Sequence, residues 1–162
     1  DGGSTWTWAA SVRAVTIDPT TSSVMYAATN GGGVFKSTTG GTVWTAANAG
    51  LQSLVVLGLG VMPTNPSTIL AGTTGNLSRS IDGGTTWTVT TGPTSCDGFV
   101  FDAADSAKVY AASNSQGVHR SLDGGATWTA VNVSPMRSGR SKDHSFAIRS
   151  EFGIRLGRGC PS

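Results

Sequence analysis

Of the residues able to do chemistry, the most repetitive are two carboxylates set in near-identical turns, Ser80-Ile81-Asp82-Gly83-Gly84-Thr85-Thr86-Trp87 and Ser121-Leu122-Asp123-Gly124-Gly125-Ala126-Thr127-Trp128. Paired carboxylates about 5 to 10 Å apart would suit glycoside hydrolysis. In a Gly-Gly turn, however, an Asp side chain accepts hydrogen bonds from nearby backbone N–H groups and fixes the hairpin. An element copied along a chain serves the scaffold, because one active site has no use for several equivalents. Asp82 and Asp123 are therefore expected to be structural, as are Ser80, Gly84, Ser121 and Gly125 around them. Asp-Gly-Gly also lacks the further carboxylates of a calcium loop.

The remaining reactive side chains do not assemble into a known set. Arg13, Arg79 and Arg120 form no recognisable carboxylate-binding cluster, and Tyr26 and Tyr110 fall at equivalent core-strand positions. His119 stands where the sister repeats carry Phe35 and Ser78, and neither it nor His144 has a metal-ligand partner nearby in sequence. Cys96 and Cys160 are too few for a zinc site and are either one disulfide or two free thiols. No Gly-x-Ser-x-Gly turn or phosphate loop is present. No metal site, cofactor or catalytic residue is expected, with Asp97 the one weak candidate for a catalytic carboxylate.

The elements that carry these residues recur. The two turns are matched more loosely by Ser37-Thr38-Thr39-Gly40-Gly41-Thr42-Val43-Trp44, and in truncated form by Asp1-Gly2-Gly3-Ser4-Thr5-Trp6. Trp6, Trp44, Trp87 and Trp128 are spaced 38, 43 and 41 residues apart, a period that points to stacked supersecondary units. Each period reads as four short strands. The first strands are 12–18, 56–62 and 98–102, the second 24–28, 68–72 and 109–112, and the third 33–37, 76–80 and 117–121, with a fourth starting at each tryptophan. Asp18-Pro19 and Met62-Pro63 mark the reversal between the first two strands, and the Gly-Gly pairs supply positive φ for the hairpin between the last two. No helix is expected in the first 133 residues.

The Ser-x-Asp-x-Gly-x-x-Trp element resembles the Asp box of bacterial neuraminidase repeats, which occurs in sialidases, xyloglucanases, sortilin-type receptors, photosystem assembly factors and exported bacterial proteins. Residues 80–87 and 121–128 match in full, Thr39 replaces the Asp in the copy that runs from Ser37 to Trp44, and the copy from Asp1 to Trp6 is cut at its Asp. The resemblance implies an all-β fold, a partial β-propeller of about three complete four-stranded antiparallel blades plus an extra outer strand. It implies no particular activity. It also places ligands on the face opposite the boxes. There the loops 29–32, 73–76 and 113–116 and the segments 52–54 and 95–97 offer Asn30, Asn76, Asn114, Gln116 and Asp97 as binding candidates, of a type that hydrogen-bonds sugars and equally forms turns.

Composition narrows the remaining choices. Charged residues are only 12% of the chain, against about 25% in an average domain, so Thr, Ser, Asn and backbone must wet the surface. The 23 glycines fall at recurrent turns. Six of the eleven basic residues (Arg137, Arg140, Lys142, Arg149, Arg155 and Arg158) lie in the last 26 positions, scattered and without a nucleic-acid motif. Nucleic-acid binding is not expected. No apolar run reaches the roughly 20 residues of a membrane span.

Residues 1–134 are thus read as propeller blades and 135–162 as an atypical basic tail, an incomplete blade or foreign sequence. Three arrangements compete: a fragment of a larger propeller, a four-bladed ring closed by the two ends, and a protomer completed by association. The abrupt end of patterning after Pro135 favours the first, and open blade edges would promote self-association. The expected function is a non-catalytic module, extracellular or periplasmic, that binds carbohydrate or protein. The alternative is a fragment of a glycoside hydrolase of the xyloglucanase or sialidase kind, its catalytic residues on missing blades.

Overall fold

The structure, a computed structural model, describes residues 11–131. The expectations for Asp1, Trp6, His144, Cys160 and the tail from 135 lie outside the described residues. Among the described residues there is no helix, and none long and apolar enough to cross a membrane. Three antiparallel meanders follow one another. The first is β1 (Ser11–Ile17), β2 (Met25–Asn30), β3 (Gly33–Ser37) and β4 (Thr45–Ala46). The second is β5 (Val56–Val61), β6 (Ile69–Thr73), β7 (Leu77–Ser80) and β8 (Thr88–Val89). The third is β9 (Cys96–Phe101), β10 (Val109–Ser113), β11 (Gly117–Ser121) and β12 (Thr129–Ala130).

The registers superimpose. Ala27, Ala71 and Ala111 sit opposite Val15, Leu59 and Phe99 on one side, and opposite Phe35, Ser78 and His119 on the other. Each innermost strand carries a β-bulge at its start, leaving Arg13, Leu57 and Asp97 as the extra residue. Bulges re-aim a side chain at the rim of a sheet.

Alternation along the strands gives each sheet two packing faces, and the sheets stack through them. Val56, Val61, Ile69 and Ala71 of the second sheet pack on Tyr26, Ala28 and Val34 of the first. The opposite face of the second sheet, with Leu70 and Leu77, packs on Cys96, Val109, Ala111 and Phe99 of the third. Gly58, Gly60 and Gly72 have no room for a side chain. A methyl at Gly60 would press on the Phe99 and Phe101 side chains, and one at Gly58 or Gly72 would collide with the carbonyl of Asp97 or Cys96. Small residues there let the β9 backbone approach the second sheet closely.

The outer strands start one residue after each tryptophan rather than at it. In the second sheet the reason is visible: the Trp87 backbone N–H donates to the Ala49 carbonyl at 2.8 Å and leaves the ladder.

Candidate functional site

The two ends of each meander do different work. At one end lie the β1–β2 and β3–β4 turns, tied by Gly40 N–H to the Ser23 carbonyl, Gly83 to Ser67 and Gly124 to Ala107. In the second sheet the Ser80 hydroxyl donates to Asp82 Oδ1 at 2.8 Å and accepts from Gly84 N–H at 2.9 Å. Asp82 Oδ1 also accepts from Thr86 N–H at 2.9 Å, and Oδ2 accepts from the Thr86 hydroxyl. Ser121, Asp123, Gly125 and Thr127 repeat this pattern.

In the first sheet Ser37 accepts from Gly41 N–H, and the Thr39 hydroxyl accepts from Val43 N–H at 2.8 Å. Thr39 and Val43 replace Asp and Thr together, so the carboxylate–hydroxyl bond disappears without leaving either partner unpaired. The Thr86 hydroxyl and N–H hold Asp82 down to a pKa of about 2. Burial opposes ionisation of Asp123, yet the bonds from Thr127, Ser121 and Ala126 outweigh it, again giving about 2. Carboxylates this acidic are poor proton donors near neutrality.

The box tryptophans are not equivalent. Trp87 is buried and its indole N–H donates to the Ala47 carbonyl of the preceding sheet at 2.8 Å. Trp44 and Trp128 are half-buried and bond the glycine carbonyl of their own turns, Gly41 and Gly125.

Lys36 and Arg79, each directly before a box serine, brace the neighbouring sheet. Lys36 Nζ donates to the Gly83 carbonyl at 2.8 Å and Arg79 Nε to the Gly124 carbonyl at 2.9 Å, each reaching the first glycine of the next turn. The Tyr26 hydroxyl donates to Gly83 as well, and burial followed by the charge of Asp18 raises that phenol to about 12, keeping it a donor.

The opposite end is a polar rim. Asn30 pairs with Val55 as an isolated bridge, Gly31 and Gly33 donate to the Leu54 carbonyl, and Thr74 donates to Val55, so segment 53–55 joins the first two β2–β3-type turns. Segment 94–96 does the same for the next pair. Ser95 donates to Thr73 and accepts from Asn114, and Thr94 N–H donates to Gln116 Oε1 at 2.8 Å. Ser95 adopts φ 53°, a left-handed conformation that costs a non-glycine residue roughly 1 to 3 kcal/mol and persists where surroundings over-determine it.

Of the sequence candidates, Asn76 is committed to its own turn, its Oδ1 accepting from Ser78 and Thr73. Gln116 is committed through Oε1. Asn30 and Asn114 are exposed, with no side-chain hydrogen bond among the described residues, and Asp97 is exposed at its bulge. Arg13, exposed at the equivalent bulge of β1, was not singled out for this rim. Its signal was the break in alternation at Val12-Arg13-Ala14.

The other reactive groups are held by burial or by neighbours. Cys96 is a buried free thiol donating to Pro93, pushed up to about 12 by burial and then by Asp97. Burial lowers the His119 pKa, the Gly117 backbone opposing it. Lys108 pairs with Asp102 at 3.0 Å and lies over the Tyr110 ring. No group of three metal-ligating side chains occurs among the described residues.

Comparison with solved structures places the architecture. A GH74 enzyme of Niastella koreensis is 27% identical with a TM-score of 0.61, over 75% of this chain and 22% of that one. The GH74 xyloglucanase of Xanthomonas campestris is 20% identical with a TM-score of 0.62, over 76% and 24%. YCF48 of Cyanidioschyzon merolae is 14% identical with a TM-score of 0.59, over 78% and 38%. The chain therefore spans about a quarter of the length of the GH74 enzymes it matches. No family model and no curated protein matches it. The fold is a β-propeller, with three four-stranded blades in the described residues.

Proposed function

We propose that the chain is an Asp-box β-propeller binding module, acting outside the cytoplasm, that takes carbohydrate on the rim formed by the Asn30, Thr74 and Asn114 turns. The observation that carries this reading is the distribution of carboxylates. Of the acidic residues between 11 and 131, Asp18, Asp82, Asp102, Asp105 and Asp123 all bond within turns at the box end. Asp97 alone stands at the opposite rim, and one carboxylate does not hydrolyse a glycosidic bond by the usual two-carboxylate routes. Hydroxyls and amides on a hydrogen-bonded frame remain, chemistry suited to sugar hydroxyls.

A second reading is supported by the 27% match to the Niastella GH74 enzyme: a portion of a glycoside hydrolase in which Asp97 is one of two catalytic carboxylates and its partner lies outside residues 11–131. One experiment separates the two. The purified chain is applied to a glycan array that includes xyloglucan oligosaccharides, chosen because one structural relative is a xyloglucanase, and is incubated with chromogenic glycosides. Binding without turnover is expected. Turnover abolished by Asp97→Asn would establish the second reading, and failure to bind any glycan would remove the first.

A further inference from the structure

Three bulges occupy one structural place and carry three chemistries. Arg13 falls between Val12 and Ala14, which pair with Thr29 and Ala28. Leu57 falls between Val56 and Gly58, which pair with Thr73 and Gly72, and Asp97 between Cys96 and Gly98, which pair with Ser113 and Ala112. The residues after Thr29, Thr73 and Ser113 are Asn30, Thr74 and Asn114, so each bulge has one rim turn beside it. Around the bulges the blades repeat one another, with Ala27, Ala71 and Ala111 mid-ladder and Lys36, Arg79 and Arg120 before the box serines. A repeated position serves the scaffold. A position that keeps its geometry and changes its chemistry is where one blade acquires a role that the others lack.

The third bulge is set by the most bonds. Ser95, two residues before Asp97, is the one non-glycine residue among the described ones with a positive φ. Its N–H donates to the Thr73 carbonyl at 3.0 Å, its hydroxyl donates to the Thr74 carbonyl at 3.0 Å, and its carbonyl accepts from Asn114 N–H at 3.1 Å. The Ser113 hydroxyl donates to the Thr94 carbonyl at 2.6 Å, and Cys96 is fully buried. On the other side, the Asp97 carbonyl lies so close to Gly58 that a methyl there would collide with it. The second and third blades thus fix the backbone around Asp97 while its side chain stays exposed. Strain held by its surroundings in this way collects at ligand clamps. Among the described residues the one ion pair is Lys108 with Asp102, and no cation pairs with the Asp97 carboxylate.

Resting on the carbohydrate reading above, we propose that Asp97 is the rim's specificity-determining residue: at the subsite between its bulge and the Asn114 turn, it accepts hydrogen bonds from an uncharged sugar and rejects one that carries a carboxylate. An ionised carboxylate only accepts, which suits hydroxyl donors, and the Asn114 amide adds a donor and an acceptor at the same subsite. A charge left without a partner discriminates against a like charge brought against it. Arg13 stands beside Asn30 as Asp97 stands beside Asn114, so the rejection belongs to the third-blade subsite and not to the whole rim.

The test is an array of xyloglucan, cellulose and galactan oligosaccharides, each printed beside the same oligosaccharide oxidised to the uronate at its primary hydroxyls. The quantity read is the ratio of neutral to uronate affinity for each pair that the full chain binds. Asp97→Asn, which keeps the shape and one acceptor oxygen, should move that ratio toward the uronate by about tenfold or more, the effect of removing a like-charge contact. Asp97→Lys should move it further, because it replaces repulsion with attraction. Urea midpoints of both variants should match that of the wild type, since the side chain is exposed. A ratio unmoved by both substitutions would overturn the proposal and leave the carbohydrate reading standing. Loss of all binding in both variants would overturn it too, by making Asp97 a contact that does not select. A wild type that binds no oligosaccharide would remove the carbohydrate reading itself, and this proposal with it.

Discussion

At the scale of single residues, the carboxylates of the box turns are anchors whose ionisation is coupled to the fold. An unfolded aspartate titrates near 4, while Asp82 and Asp123 titrate at about 2 in the folded chain. A depressed folded pKa contributes stability that is present above pH 4 and is lost as pH falls through about 2. Asp123→Asn should therefore lower the unfolding free energy at pH 7 by about 1 kcal/mol, a modest figure because solvent screens an exposed carboxylate. In urea titrations, the gap between variant and wild type should shrink between pH 4 and pH 2. A gap independent of pH would mean that the charge contributes nothing. The first blade already shows a neutral solution, with Thr39 and Val43 replacing the charged and hydroxyl partners together.

At the scale of elements, stability depends on how closely one blade's backbone meets the next. Gly72 has an ordinary φ, so an alanine there strains nothing locally, yet its methyl would strike the Cys96 carbonyl across the interface. Gly72→Ala is expected to cost about 1 to 3 kcal/mol in chemical denaturation, the range for overpacking. Trp87→Phe should cost about 1 to 2 kcal/mol and exceed Trp128→Phe, because only the Trp87 indole N–H bonds a neighbouring sheet.

Strand order and turns were legible from the sequence because the box and the alternation are local patterns with a fixed period. The braces were less so. Lys36 and Gly83 are 47 residues apart, and repetition of a basic residue before the box serine signals a recurrent role without naming its acceptor. For the candidate site, composition identified amide-rich turns. Only coordinates show that Asn76 and Gln116 accept hydrogen bonds at their own rim, while the Asn30 and Asn114 side chains are exposed. The Arg13 bulge does show in the sequence as a break in alternation at Val12-Arg13-Ala14, but a single break in so short a strand does not say which residue is the extra one.

At the scale of the whole molecule, the blades divide their labour between ends. The box end commits Asp82 and Asp123 to turns and Lys36 and Arg79 to braces, and the opposite rim keeps exposed amides and one carboxylate on a frame held by segments 53–55 and 94–96. Function belongs at the rim if this division holds, since replacing exposed side chains there should leave stability within about 0.5 kcal/mol. The most direct test pairs glycan binding with urea denaturation for two double variants, Asn30→Ala with Asn114→Ala and Asp82→Asn with Asp123→Asn. The rim pair should abolish binding at unchanged stability, and the box pair should lower stability while the folded fraction binds as the wild type does. The reverse outcome, binding lost with the box carboxylates and kept without the rim amides, would contradict the assignment of function to the rim.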